Sequence, residues 1–329
     1  MTKAKGRIFT VISSVLIILL GGLLYLNFYG PKDKATMVMG GQFQKQPGEK
    51  KQYNITTPKT DAEKYFRPSK LNILNDKNFD SKFFDLFSEK DSSKNTLPEY
   101  LLKTPEDTII NYFSILREAE NLDENKMGGC GTIGYAKYPY PAAYAFLSSN
   151  YKGKLSYEKY LKSFKDIAHI NLIKLKRVPF DLSYPTSLRY FIEIETIGGS
   201  EKEGTDFSYY YGYIYLSQEG NGYKIENIEF YKEDFLCAAY HGWAHNAEAS
   251  VLIRYGNWCS LVKKLQPTKQ DGYVKKIYFE GTDGHDYLIE FIQLTNDTDV
   301  EIAQYRKTKD GKWEFIRLNP EKCLEDKKE

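Results

Sequence analysis

The chain has 329 residues, 41% of them hydrophobic, enough to bury a sizeable core and to fill two domains of ordinary size. Its 46 basic and 44 acidic residues leave a formal charge of +2, which lacks the basic excess of a general nucleic-acid surface. It carries no Gly-x-Ser-x-Gly elbow, P-loop or dinucleotide fingerprint, so the reactions those motifs serve are not indicated.

Residues 1–7 hold Lys3, Lys5 and Arg7 and no acid, and the run Ile8 to Tyr29 that follows has no charge. A helix of roughly 20 apolar residues covers a ~30 Å hydrocarbon core. The positive-inside rule then leaves residues 1–7 in the cytoplasm, 8–29 as a single-pass anchor in the cell membrane, and the remaining ~300 residues extracytoplasmic. A cleaved signal peptide would have an apolar run of 7–15 residues and a small-residue cleavage site. This run is longer and ends in Tyr25-Leu26-Asn27-Phe28-Tyr29, which favours an uncleaved anchor.

Residues 30–98 read as a linker. Pro31 to Thr60 is rich in Gly, Pro, Lys and Gln without an apolar period, the composition of a solvated stalk. Tyr65, Phe66, Phe79, Phe83, Phe84 and Phe87 then mark a lead-in segment that packs on something.

Residues 99–235 read as an α+β domain. Thr104-Pro105-Glu106-Asp107 supplies an N-cap, a proline at the first helical position and acids in the first turn. Ile109, Tyr112, Phe113, Leu116 and Ala119 continue at helical spacing. Further helices are predicted at Pro141 to Leu147 and Ser156 to Ala168. The period then changes to that of strands over His169 to Phe180, Leu188 to Ile197, Phe207 to Ser217 and Tyr223 to Phe230, separated by Gly-rich turn signals. Helices first and an antiparallel sheet afterwards indicate α+β.

The order TPEDTIINYFSIL, AYAFLSSNYKG, SYEKYLKSF and a closing NGYKIENIEF strand resembles the nuclear transport factor two-like superfamily over roughly residues 100 to 235. The resemblance implies a cone of helices over a curved sheet enclosing a pocket. That superfamily holds isomerases and dehydratases but also non-catalytic accessory and assembly domains, so it does not select a function.

Residues 236–329 read as a long helix plus a four-stranded antiparallel meander, a shorter second domain. Apolar residues recur every three or four positions from Cys237 to Leu265, predicting one helix. YVKKIYFEG, DYLIEFIQL, DVEIAQYRK and KWEFIRL follow as strands. DGKWEFIRL echoes NGYKIENIEF, which suggests a degenerate repeat. Four cysteines in an oxidising compartment allow two disulfides. On one straight helix Cys237 and Cys259 stand ~33 Å apart and do not pair. Cys130–Cys237 with Cys259–Cys323 is favoured over Cys130–Cys259 with Cys237–Cys323, because Cys323 follows the last strand of the domain whose helix holds Cys259.

Three constellations could carry chemistry. Cys237, His241 and His245 share one helix face and could bind zinc, with Glu248, Cys259, Asp283 or His285 to complete the set; a disulfide cysteine beside two packed histidines is the plainer reading. Asp166 and His169 could act as an acid/base pair or stabilise a turn. Tyr209, Tyr211, Tyr213 and Tyr215 share a sheet face, as a binding platform or as core, and Tyr138-Pro139-Tyr140-Pro141 reads as a rigid exposed turn. No residue is assigned as catalytic, cofactor-binding or metal-ligating, and no cofactor is indicated. The expectation is a tethered binding or assembly module without catalysis. Its partners would be the bilayer through residues 8–29 and an envelope protein, the cell wall or a conjugation-type complex, with no nucleic acid. The alternative is a surface enzyme using the pocket of the cone.

Overall fold

The computed structural model describes residues 36–44, 69, 71–87, 89, 90, 92, 95–122, 136–200, 204–235 and 242–326. Residues Met37–Glu329 form one compact unit. It is α+β, built on two sheets with few helices. Among the described residues no helix is long and apolar enough to cross a membrane; the expected anchor, 8–29, lies outside them.

The first sheet runs β1-β2-β6-β5-β4-β3. Its body is four long antiparallel strands: β3 (Ile167–Val178), β4 (Leu188–Ser200), β5 (Gly204–Glu219) and β6 (Gly222–Lys232). These are the four strands predicted. Two short ones were not: β1 (Thr36–Val38) and β2 (Gly41–Phe43) fall in the stretch read as a solvated stalk. Met39 (φ 50°) and Gly40 (φ 76°) turn the chain between them, the double left-handed turn that suits a two-residue hairpin. β2 then pairs parallel to β6. Met39 N donates to Ser163 O at 3.0 Å and Gly40 N to Ser163 Oγ at 2.8 Å, so the hairpin tip is a docked part of the core.

Helices cover one face of this sheet. α1 is Ser81–Phe84, α2 Pro105–Arg117, α3 Tyr140–Tyr144, α4 Ser149–Lys154 and α5 Tyr157–Lys162. The predicted cap of α2 is present: Thr104 Oγ1 accepts from Asp107 N at 3.0 Å and donates to Asp107 Oδ2 at 2.8 Å. α5 is shorter than the predicted Ser156 to Ala168, because Asp166 takes a left-handed φ of 65° and β3 starts at Ile167. Ile170, Leu172, Tyr190, Ile192, Ile194, Ile214, Leu216, Ile225, Ile228 and Phe230 meet the helices in one core.

The opposite face of the strands is buried too. Phe191, Tyr213, Tyr215 and Val178 pack there on Ile292, Leu294, Ile302 and Ala303 of the second sheet. A register shift between Leu172 and Lys174 lets Leu172 and Leu175 both join the helix-side core while Lys174 lies opposite Glu193. Gly212 interrupts the tyrosine run because a Cβ there would lie 1.8 Å from Glu229 O.

The second sheet runs β12-β11-β10-β9-β7, with β8 also on β9. β9 (Val274–Gly281), β10 (Asp286–Gln293), β11 (Asp299–Lys307) and β12 (Trp313–Ile316) are the predicted meander. The long helix predicted over Cys237 to Leu265 is corrected. Helix α6 (Ala247–Ser250) starts behind an Asn246 cap and widens into a π-helical run, Val251–Trp258. Gly242 (φ 70°) and the short 3₁₀ turn Trp243–His245 precede it. Ser260 (φ 54°) breaks it, and Val262–Leu265 becomes β7 by pairing with β9; β8 (Lys269–Asp271) follows. Pairing along a sheet edge overrides local spacing there, because Val262 and Leu265 pack on the third core of Ala247, Val251, Tyr255, Ile277, Phe279 and Ile289 either way. The last helix, α7 (Pro320–Asp326), is held by a Cys259–Cys323 disulfide with Cα atoms 5.0 Å apart, one of the two bonds favoured. Cys130 and Cys237 lie outside the described residues. The layers therefore run helices, sheet, sheet, helix.

Candidate functional site

The space between the helices and the first sheet is occupied by the protein's own rings. Tyr112, Tyr140, Tyr151, Tyr160, Phe113, Phe146 and Phe164 are all buried there. Three of these hydroxyls are engaged internally: Tyr160 Oη donates to Tyr112 Oη at 3.2 Å and Tyr151 Oη to Gly40 O at 2.9 Å. Burial holds these four phenols protonated, well above their ordinary pKa.

His169 belongs to a chain of side-chain hydrogen bonds. Its Nε2 meets Asn171 Oδ1 at 2.9 Å, Asn171 Nδ2 donates to Glu195 Oε1 at 3.2 Å, and Glu195 Oε2 accepts from Tyr209 Oη at 2.6 Å and from Ser69 N at 2.7 Å. Burial lowers the histidine's pKa, with Arg117 pushing the same way, so the ring is neutral at pH 7. Asp166 turns the chain into β3, its backbone bonded to Asn121 and Gly199. Structural roles account for both residues.

The tyrosine stripe divides. Tyr213 and Tyr215 are buried under the second sheet, with the Arg189 guanidinium 3.6 Å from the Tyr213 ring centroid. Desolvation raises the Tyr213 phenol to about 12 despite that cation. Tyr211 stacks on Tyr231 at 5.1 Å and 16°. Tyr209 closes on Phe235 and Glu195. These rings are seam and core. In the Tyr138–Pro141 turn, Tyr138 is exposed and bonded to Asp85 at 2.5 Å, whereas Tyr140 is buried, which corrects half of the expected contact turn.

Of the zinc candidates, Cys237 and His241 lie outside the described residues. Cys259 is consumed by its disulfide. Glu248 accepts from Thr268 Oγ1 at 2.6 Å, and His285 Nδ1 lies 3.3 Å from Asp283. His245 is half-buried on the 3₁₀ turn before α6. Among the described residues no three His, Cys, Asp or Glu side chains are grouped to hold a metal.

Sequence reasoning missed the strongest electrostatic feature, which lies between the sheets. Lys174 and Glu193 are 2% and 0% exposed, paired at 2.7 Å. Lys174 also donates to Gln293 O at 2.7 Å. Glu193 Oε1 accepts from both the backbone N and Oγ1 of Thr295. Glu233, buried beside them, accepts from Asn296 N at 3.2 Å. Desolvation, then the Glu193 charge, raise the Glu233 carboxyl well above its usual range. Its Oε1 has no donor in reach. The β10–β11 turn is thus tied to the first sheet by a lysine and two carboxyls. A lone lysine in the apolar strand INLIKL and glutamates at alternating positions of FIEIET were the available signal.

Two of the grooves among the described residues have aromatic walls. One, of 570 Å³, runs between the β3–β4 connection and β11–β12, lined by Phe180, Arg189, Tyr305 and Phe315 among others. Arg317 stands between its rings, 4.5 Å from Phe180 and 5.0 Å from Phe315, and donates to Phe180 O at 2.7 Å. Phe180 and the neighbouring Leu182 are exposed, the latter by 69%. The other groove, of 730 Å³, lies where the lead-in segment crosses α2. Compared with known proteins, the chain matches no protein-family model, no curated sequence and no solved structure.

Proposed function

We propose that this chain is a membrane-tethered extracytoplasmic binding or assembly module without catalysis of its own, built on a nuclear transport factor two-like cone. The observation that carries the reading is the filled interior. In a pocket enzyme of that architecture the substrate would lie between helices and sheet, with titratable groups converging on it. Here that volume holds Tyr112, Tyr140, Tyr151, Tyr160 and their phenylalanine neighbours, and His169 points into a structural hydrogen-bond chain instead. The order of helices and the four long strands support the cone; the uncharged run 8–29 behind Lys3, Lys5 and Arg7 supports the tether.

The surface offered to a partner is the rim at Phe180, Leu182, Phe315 and Arg317. Aromatic and arginine side chains are enriched at protein contacts and carry much of their energy. The partner that fits is another envelope protein. The test places a photo-crosslinking side chain at Leu182, and at exposed Lys309 as control, in intact cells. One discrete adduct from position 182 but not 309 is expected; indistinguishable labelling would overturn the surface. Protease added to whole cells should degrade the chain. Protection until lysis would overturn the placement.

A further inference from the structure

We propose that the groove between the lead-in segment and α2 is a binding site for the side-chain ammonium of a lysine presented by a polypeptide partner. The first observation is a stranded acceptor. Asn111 is 1% exposed and lines the groove. Its Nδ2 donates to Leu101 O at 2.8 Å, which fixes the amide, yet its Oδ1 has no partner. Buried acceptors are almost always satisfied, so an orphan on a groove wall marks a place for a donor. Ser114 Oγ, one helical turn on, is also buried without a partner. Glu118 follows at the next turn of the same stripe and lines the groove as well.

The second observation is the charge of the walls. Three charged side chains line the groove: Lys77, Asp80 and Glu118. Lys77 is turned to Asp107 at 3.4 Å, and Asp80 caps α1 by accepting from Phe83 N at 2.9 Å. Glu118 is half-buried, and desolvation raises its pKa, partly offset by Arg117. The walls therefore sum to one negative charge, carried at Glu118, about two turns along α2 from Asn111. That donor-poor, acceptor-rich wall suits an ammonium, which has three donors and no acceptor. The third observation is aromatic: Phe79 and Phe83, with centroids 4.7 Å apart, and the 57% exposed Tyr100 form walls for a methylene stem and a cation. Lysine joins a flexible apolar stem to a point charge, whereas the fork of arginine seeks a bidentate carboxylate.

The test titrates the full chain in detergent with Nα-acetyl-lysine methylamide by calorimetry, against the same compound acetylated on its Nε. The free amine should bind, and its affinity should fall with added salt as that of a charge pair does. Glu118→Gln, which keeps shape and lies at a partly exposed site, should weaken binding by about tenfold. Tyr100→Ala, at an exposed ring, should weaken it by about three- to tenfold. Equal binding of the Nε-acetylated compound, or unchanged affinity in Glu118→Gln, would overturn the ammonium assignment. So would no binding of the free amine up to about 10 mM, a weak limit for a single charged side chain. None of these outcomes depends on the tether or on the Leu182 rim.

Discussion

Replacing Lys174 by Met tests how the two sheets are joined. The side chain is 2% exposed and its partner Glu193 is 0% exposed, so neither charge has water to fall back on. In Lys174→Met, Glu193 Oε2 loses its 2.7 Å partner and Gln293 O loses a donor, while Thr295 still serves the other carboxylate oxygen. Breaking one side of such a pair strands a buried charge, at about 3–5 kcal/mol. Glu193→Leu should cost a similar amount by stranding the ammonium. The double variant, Lys174→Met with Glu193→Leu, removes both charges with little change in volume. It should lose about 2–3 kcal/mol less than the sum of the singles. The measurement is urea unfolding of the four proteins, followed by far-UV circular dichroism and tyrosine fluorescence. Additive losses, or a Lys174→Met cost below about 1 kcal/mol, would mean that the seam is held by its apolar contacts and that the pair is incidental.

Four further outcomes are expected. Glu233 has a folded pKa well above 4.5, so its contribution is complete below that value and fades as pH rises toward the folded pKa; Glu233→Gln should be indifferent near pH 4 and gain on the parent as pH rises from there in urea titrations. Cys323→Ser opens a loop closed across 64 residues and should lower stability by about 4 kcal/mol on chain-entropy grounds, matched by the parent under reductant in thermal melts. Asn75→Ala removes two donations, to Phe113 O and Ile170 O, and the acceptor of Leu172 N; a loss of about 2–4 kcal/mol and faster hydrogen exchange at the Leu172 amide should follow. Gly212→Ala sets a Cβ against the Glu229 carbonyl and should cost at least about 3 kcal/mol in chemical denaturation, where Gly153→Ala, with open space around it, should be nearly neutral.

The parts of the fold legible in the sequence are those where local chemistry and tertiary environment agree. The α2 cap, the four long strands and the meander each carry their own signals, and the Cys259–Cys323 bond followed from placing Cys323 after the last strand. The unreadable parts were decided by distant partners. Thr36–Phe43 has stalk-like composition, and only the exposed edge of β6 and the pocket beside Ser163 make it a hairpin. Val262–Leu265 satisfies a helical stripe and a strand equally well, and the edge of β9 decides. Asn75, Asn111 and Lys174 look like ordinary surface polars in one dimension. Only burial by segments 10 to 119 residues away gives them roles. The tyrosine stripe was correctly put on one face, but its cover, the second sheet, lies 60 or more residues downstream.

The layered arrangement also explains why the recognition features sit where they do. A sheet with one free face can lend that face to a ligand. Here helices occupy one side of β3–β6 and β9–β11 the other, with Phe191 and Tyr213 sealed between sheets. Both faces are spent on stability, and Lys174 with Glu193 and Tyr209 with Glu195 are matched within them. At the rim stand the orphaned Asn111 Oδ1 under the lead-in segment, the exposed Phe180 and Leu182 on the β3–β4 connection, and Tyr100 on the 3₁₀ turn before α2. All but Asn111, which belongs to α2, project from connecting segments held on the two-sheet core. That division suits contact making, because connecting segments can vary without disturbing the packed layers that position them. It also sets a limit on substitution: a change in the layers should act first on stability, and a change at the rim first on binding.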